Sequence, residues 1–295
     1  MLASYDGIIY IIKKKERKEH MSLKIGVRAH DLAEKQGIEE LAKAVKEFDL
    51  ENIQLVFPKA LKDYSYDDAF VSHVRDTLAK EEINVTMLGA YFNPVHSHRD
   101  VVEKGIENFK SNLLISHAFK EHPPVGSETG SYNDSPWIYV PKNQTEDGYQ
   151  ETKKVFSDLK DYAESIDSDM IIESAWGHVI YCYQQHARLL QELNSDHVFA
   201  TIDLYNLLYE GNFEQRDEIF EGALRTLGKK VKVIHIKDAD VIDGKLVQLA
   251  PGDGKFHYGF MIDCVKKYAP DATLVFEGVK KDKMAQAIEI IKKAL

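Results

Sequence analysis

From Lys24 onward, short apolar runs alternate with longer stretches whose apolar residues recur at three- and four-residue intervals. Runs of the first kind read as buried strands and stretches of the second as amphipathic helices, so the chain reads as repeated βα units. The predicted strands are Lys24–Arg28, Asn52–Phe57, Asn84–Leu88, Pro124–Glu128, Asp169–Glu173, Phe199–Asp203, Val231–Lys237 and Thr273–Glu277. Each is followed by a predicted helix: Ile38–Phe48, Ser65–Lys80, Asp100–Lys120, Tyr149–Ile166, Tyr181–Leu193, Glu214–Leu227, Gly259–Lys267 and Lys281–Leu295. Eight such units in a chain of this size predict an α/β fold of the (β/α)8 TIM-barrel type, in which about 250 residues are usual. An open doubly wound sheet is the alternative, but no Gly-x-Gly-x-x-Gly follows any predicted strand.

No linker, composition shift or repeat divides the chain, which predicts one domain over residues 21–295. Residues 1–20 lack the rhythm of the later segments, and Met21 stands as a natural start before the first strand, so we expect an extension outside the core fold. The apolar run Ile8–Ile12 precedes the basic block Lys13–Lys18, the reverse of a secretory leader's order, and no stretch reaches the roughly 18 apolar residues of a membrane span. These features predict a cytoplasmic protein with no membrane partner. The longest connections, Thr129–Asp147 and Asp238–Phe256, come after the fourth and seventh strands, and in a barrel both fall on the face where substrates bind.

Thirty-eight Lys and Arg against 48 Asp and Glu leave a formal charge of −10, which disfavours nucleic acid as a general partner. The two cysteines, Cys182 and Cys264, stand far apart and fit free thiols in a reducing compartment.

The chemistry gathers at strand ends. A side-chain period of two places Ile171 with Glu173, Thr201 with Asp203, Val233 with His235 and Lys237, and Val275 with Glu277. Glu173, Asp203, His235 and Glu277 therefore converge from four strands at the barrel mouth, where three carboxylates would repel one another unless a cation held them. Taken singly, Asp203 reads as a helix N-cap and His235 as a core imidazole. Joint occurrence at four strands favours a divalent metal.

This series, with His235-Ile-Lys-Asp238, the turn Leu249-Ala-Pro-Gly-Asp-Gly254 and the loop Tyr91-Phe-Asn-Pro-Val-His96, resembles the xylose-isomerase-like barrel superfamily of sugar phosphate isomerases and epimerases, which also holds inosose dehydratase and the abasic-site endonuclease. The resemblance extends from Met21 to Leu295. It implies Glu173, Asp203, His235 and Glu277 as ligands of one divalent ion (Mn2+, Co2+, Mg2+ or Zn2+). It also implies Glu173 and Glu277 as the acid/base pair of an isomerase or epimerase that moves a proton through a metal-stabilised enediolate of a small sugar, ketose or related polyol. Self-association is implied too, through a surface the sequence does not mark. Where the nuclease carries a second histidine this chain has Asn206, and Asp243–Gln248 lacks its Asp-x-His, which argues against nuclease activity.

Candidate substrate contacts are His30, Tyr91, Glu128, Trp176, His178, Asn206 and Lys237. His30 and Glu128 either hydrogen-bond sugar hydroxyls or satisfy loop backbone; Trp176, Trp137 and Tyr91 either stack on a sugar face or pack. His96 reads either way, and His98 as surface loop. If the reaction is a dehydration of the inosose-dehydratase kind, His178 or Lys237 is the expected acid. Lys237 as a Schiff-base nucleophile is the competing enzyme reading. A catalytically idle carbohydrate-binding barrel is the reading from another class.

Overall fold

The apolar runs become a closed parallel barrel in the computed structural model, which describes residues 23–295 apart from 33, 136 and 137. The expected extension at residues 1–20 and the aromatic candidate Trp137 lie outside the described residues. In chain order the strands are β1 Lys24–Arg28, β2 Asn52–Leu55, β3 Asn84–Gly89, β4 Val125–Glu128, β5 Met170–Glu173, β6 Val198–Asp203, β7 Val231–Ile236, β8 Asp238–Ile242, β9 Lys245–Leu249 and β10 Thr273–Phe276. Around the barrel they run β1, β10, β7, β6, β5, β4, β3, β2 and back to β1. The outer ring of main helices is Ile38–Lys46, Asp68–Lys80, Arg99–Ser116, Glu146–Ser165, Tyr183–Leu193, Arg216–Leu227, Tyr258–Tyr268 and Lys281–Ala294. Among the described residues no helix is long and apolar enough to cross a membrane.

Boundaries move where a side chain satisfies a helix end. The helix expected from Ser65 begins at Asp68 because the Asp67 carboxylate accepts the Phe70 N–H, and the helix expected from Tyr149 begins at Glu146 because Thr145 Oγ1 accepts the Gly148 N–H. The predicted second strand stops at Leu55, since Phe57–Ala60 turns into a short helix with Pro58 in its first turn.

The largest departure comes directly after β7. The segment expected as a loop, Asp238–Phe256, folds as an antiparallel hairpin of β8 and β9 outside the barrel sheet. Asp238 anchors it: its carboxylate accepts the N–H groups of Ala239, Gly252 and Phe256 at 2.8–2.9 Å. The Tyr258 hydroxyl donates to the carbonyl of Lys237. Gly254 packs so closely on Asp238 that a Cβ would lie 2.3 Å from its Oδ1.

Two hydrophobic layers support the mouth. The larger joins the strands to the helices, with Phe57, Phe109, Phe156, Phe220 and Phe276 fully buried. The smaller fills the barrel itself: Met87, Ile171, Val233 and Val275, with Thr201 donating to Met87 Sδ. Gly126 on β4 makes room, because a Cβ there would meet the Met87 methyl at 1.8 Å. The inward alternation read for Ile171, Thr201, Val233 and Val275 is thus the one found, so the next inward residue of each strand reaches the mouth.

Candidate metal centre

His235, Asp203 and Glu173 come from β7, β6 and β5 and Glu277 directly follows β10, four consecutive strands of the ring. One donor atom from each lies within 4.8 Å of all the others. His235 Nδ1 is the hub, 2.6 Å from Glu277 Oε2 and 3.4 Å from both Glu173 Oε1 and Asp203 Oδ2. Asp203, His235 and Glu173 are buried, and the Glu277 side chain keeps 12% exposure.

Neighbouring groups orient each candidate donor. Asp203 Oδ1 accepts the Asn206 N–H, capping the short helix Leu204–Leu207, which leaves Oδ2 turned to the centre. The cap and the ligand readings of Asp203 therefore describe two oxygens of one carboxylate. Glu173 Oε1 accepts the Asn206 side-chain amide at 2.7 Å. On the far side of the imidazole, His235 Nε2 lies 2.8 Å from Gln54 Oε1, while Gln54 Nε2 donates to the Tyr91 hydroxyl at 2.6 Å. An amide oxygen only accepts, so Nε2 carries hydrogen and Nδ1 is the nitrogen that faces the carboxylates.

Asp203 Oδ2, His235 Nδ1 and Glu277 Oε2 are buried and face one another, with Lys237 Nζ beside Asp203 Oδ2. Burial by itself opposes charge on His235, yet Glu277 and Glu173, with Asp203, outweigh it and raise its proton affinity well above the ordinary value. Carboxylates gathered in a buried place are unfavourable unless positive charge balances them. Counting the ion-pair network, Asp31, Glu173, Asp203 and Glu277 face two fixed cations, Arg28 and Lys237. A proton on His235 offsets one of the two remaining negative charges and a divalent cation in its place would offset both; three carboxylate oxygens with one imidazole nitrogen are a donor set such an ion accepts.

Lys237 Nζ sits 2.7 Å from Asp203 Oδ2 and 3.2 Å from Glu277 Oε1. Its burial opposes the charge, but Asp203, Glu277 and Glu173 dominate and raise the lysine above its usual range. Lys237 is thus held in ion pairs with two carboxylates, the alternative to a Schiff-base nucleophile that the sequence also offers. Arg28, at the end of β1, is gripped by Asp31 through Nε and Nη2 at 2.9 and 2.8 Å and donates from Nη1 to Glu277 Oε1 at 2.5 Å. Burial would push Glu277 upward, but His235, Lys237 and Arg28 hold it well below the ordinary carboxylate range.

The remaining candidates divide. His30, Tyr91 and Glu128 line a cavity of about 320 Å3 that also touches Glu277. Burial, then the charges of Glu173 and Glu277, push Glu128 up to about 8; burial, then Arg28 and Lys59, push His30 down to about 3. Asn206, Trp176 and Lys237 line a second cavity of about 420 Å3, which shares Arg28 and Glu277 with the first. Tyr209 stacks on one face of Trp176 at 4.0 Å, and Tyr139 lies nearly parallel to it at 5.9 Å. His178 is fully buried, with Nε2 3.9 Å from Glu128 Oε2, and lines neither cavity. His96 and His98 lie on the outer loop, where His96 Nδ1 accepts the His98 N–H.

Arg28, Asp31 and Gln54 are site residues that the sequence pattern alone did not single out. Arg28 and Gln54 carry the same signal that marked the others, a polar side chain at the mouth end of a strand, Gln54 within the otherwise buried run Asn52-Ile-Gln-Leu55.

Residues 31–294 match the family described as xylose isomerase-like TIM barrel. No curated protein matches the sequence. Among solved structures, the chain is similar to a xylose isomerase-like TIM barrel protein from Mycobacterium smegmatis in complex with magnesium, at 12% identity and a TM-score of 0.72, covering 93% of this chain and 97% of that one. It is similar to 3-keto-D-glucoside 4-epimerase from E. coli, at 14% identity and 0.70, covering 92% and 100%. A third is D-psicose 3-epimerase from Clostridium cellulolyticum H10, solved with D-tagatose, at 14% and 0.68, covering 92% and 99%. These identities establish a shared fold, and the family match, spanning nearly the whole of the described barrel, makes this chain a member of the xylose isomerase-like TIM barrel family.

Proposed function

We propose that this protein is a divalent-metal-dependent isomerase or epimerase acting on a small sugar, ketose or related polyol. The observation that carries the reading is the convergence of one donor atom each from Glu173, Asp203, His235 and Glu277 within 4.8 Å of one another at the barrel mouth. Similarity to 3-keto-D-glucoside 4-epimerase and D-psicose 3-epimerase adds support for sugar chemistry. A bound ion would supply positive charge where negative charge develops on a substrate oxygen. Glu173, Asp203, His235 and Glu277 would hold it.

The residues then divide the proton work. Glu173 and Glu277 stand at the two ends of the four-strand arc, so a carbon seated between them meets a carboxylate on either side. Asn206 orients Glu173 through its amide, and Arg28 with Lys237 fixes Glu277 from the far side. Glu173 accepts no guanidinium or ammonium bond among the described residues and is the better placed base. One observation favours dehydration as a second reading. With Lys237 tied to carboxylates and His178 fully buried, Glu128, lining the cavity that reaches Glu277, is the acid placed to assist departure of a hydroxyl.

The test is solvent-deuterium incorporation into a panel of ketoses with Mn2+ or Co2+ present, beside metal analysis of the purified protein. We expect deuterium at the carbon next to the carbonyl, lost by at least about a hundredfold in Glu173→Gln, a general-base deletion, and strongly reduced in Glu277→Gln. Appearance of an ultraviolet-absorbing product would favour the lyase, and absence of both with metal bound would leave a non-catalytic sugar-binding barrel.

A further inference from the structure

The barrel mouth is divided into two lobes. Both cavities reach Glu277, and Arg28 stands between them as a shared wall. The partition is firmly built, because the Asp31 carboxylate that grips the guanidinium also accepts the Gly278 N–H at 2.6 Å, next to Glu277. Each lobe alone sits near the lower end of small-molecule sites, which run from roughly 300 to 1,000 Å3.

Their chemistries differ. The smaller lobe gathers groups that can exchange protons or hydrogen-bond with a reacting ring: His30, Tyr91, Asn93 and Glu128. The larger is walled by Tyr139, Trp176 and Tyr205, with Leu208 and Leu246 and the amides of Asn206 and Gln248. Its charged groups are already paired, Lys237 with Asp203 and Glu277, Arg28 with Asp31 and Glu277. Such a lobe offers an anionic group no free counter-ion. It suits a neutral hydroxylated ring, whose C–H faces lie on aromatic and aliphatic surface while its hydroxyls reach amides.

Both sides of the larger lobe are braced by neighbouring groups. Tyr139, 43% exposed, lies nearly parallel to Trp176, which is backed by Tyr209 at an interplanar angle of 12°. Opposite, Leu246 and Gln248 ride on the β8–β9 hairpin that Asp238 ties down. A wall held in place before binding loses less freedom when a ligand arrives.

We propose that the substrate carries two linked rings, the reacting sugar in the lobe of Glu128 and a second, uncharged glycosyl ring in the lobe between Tyr139 and Gln248. This rests on the sugar-chemistry reading above and narrows its substrate class to glycosides and disaccharides.

Calorimetric titration of the Mn2+-loaded protein decides it, using D-fructose, D-tagatose and D-psicose as single rings and isomaltulose, lactulose and turanose as two-ring ketoses. At least one two-ring ketose is expected to bind about tenfold more tightly than the best single ring, about 1.4 kcal/mol. Tyr139→Ala and Gln248→Ala should each bring that ratio toward one, in variants whose unchanged thermal melting shows intact folding. A panel in which no two-ring ketose exceeds the best single ring overturns the proposal, as does a ratio that neither variant alters. Deuterium exchange on the same samples separates the two readings: a tenfold preference without exchange in any bound sugar sinks the isomerase reading alone, and exchange in a single-ring ketose without the preference sinks the two-ring substrate alone.

Discussion

At the scale of single residues, the site is organised by side chains that touch the proposed ligands rather than by the ligands themselves. Gln54 is the clearest case, fully buried on β2 and bonded to both His235 Nε2 and the Tyr91 hydroxyl. Its amide oxygen sets the imidazole tautomer that turns Nδ1 to the carboxylates, and partners of this kind typically change metal affinity by about 10- to 100-fold. Gln54→Leu is therefore expected to weaken Mn2+ binding by about that factor in calorimetric titration, whereas Gln54→Glu, which keeps an acceptor facing Nε2, retains most of the affinity. Equal losses in both variants would show that packing, not the acceptor, matters. Asn206 plays the matching part for Glu173 and Asp203, giving its side-chain amide to one and its backbone N–H to the other.

At the scale of elements, the β8–β9 hairpin is the feature that shapes the mouth. It depends on one carboxylate, since Asp238 satisfies three backbone N–H groups that would otherwise lack partners. Leaving buried donors unmatched costs about 1–3 kcal/mol each. Asp238→Ala is accordingly expected to destabilise the fold by about 3 kcal/mol or more in urea unfolding, with hydrogen exchange rising first in residues 238–256. Unfolding that leaves the protection of this hairpin equal to that of the barrel strands would refute the anchoring role.

Across the whole molecule, the carboxylates gathered at the mouth would couple folding to the proposed cation. A ligand that binds only the folded state at about 100 times its Kd adds about 2.7 kcal/mol, which for a domain of this size raises Tm by roughly 5–10 °C. We expect that rise with Mn2+ or Mg2+, reversed by a chelator and lost in Asp203→Asn. A separate dependence comes from His186, fully buried behind β5 with Nδ1 3.1 Å from Ser174 Oγ, and pushed down by burial to about 3. The unfolded chain binds that proton near pH 6.5 and the folded one only near 3, so this group stabilises the fold above pH 6.5 and the contribution is lost as pH falls toward 3. Melting measured from pH 7 to 4 should fall less steeply in His186→Leu than in the parent protein.

The sequence by itself determined the barrel, because periods of 2 and 3.6 are local properties and eight repetitions of them leave few architectures. It also marked Glu173, Asp203, His235 and Glu277, since the alternation along each strand decides which side chains face inward and which of them stands last. Only the tertiary structure decided how these groups meet. Arg28 and Glu277, 249 residues apart in the chain, share a bond only because β1 pairs with β10 to close the ring. Gln54 reaches His235 only across the barrel interior, and the hairpin after β7 exists only because Asp238 finds the turn at Gly252. Strand pattern is written within a few residues; donor distances, tautomer and the division of the mouth into two lobes depend on closure, which no short window of sequence contains.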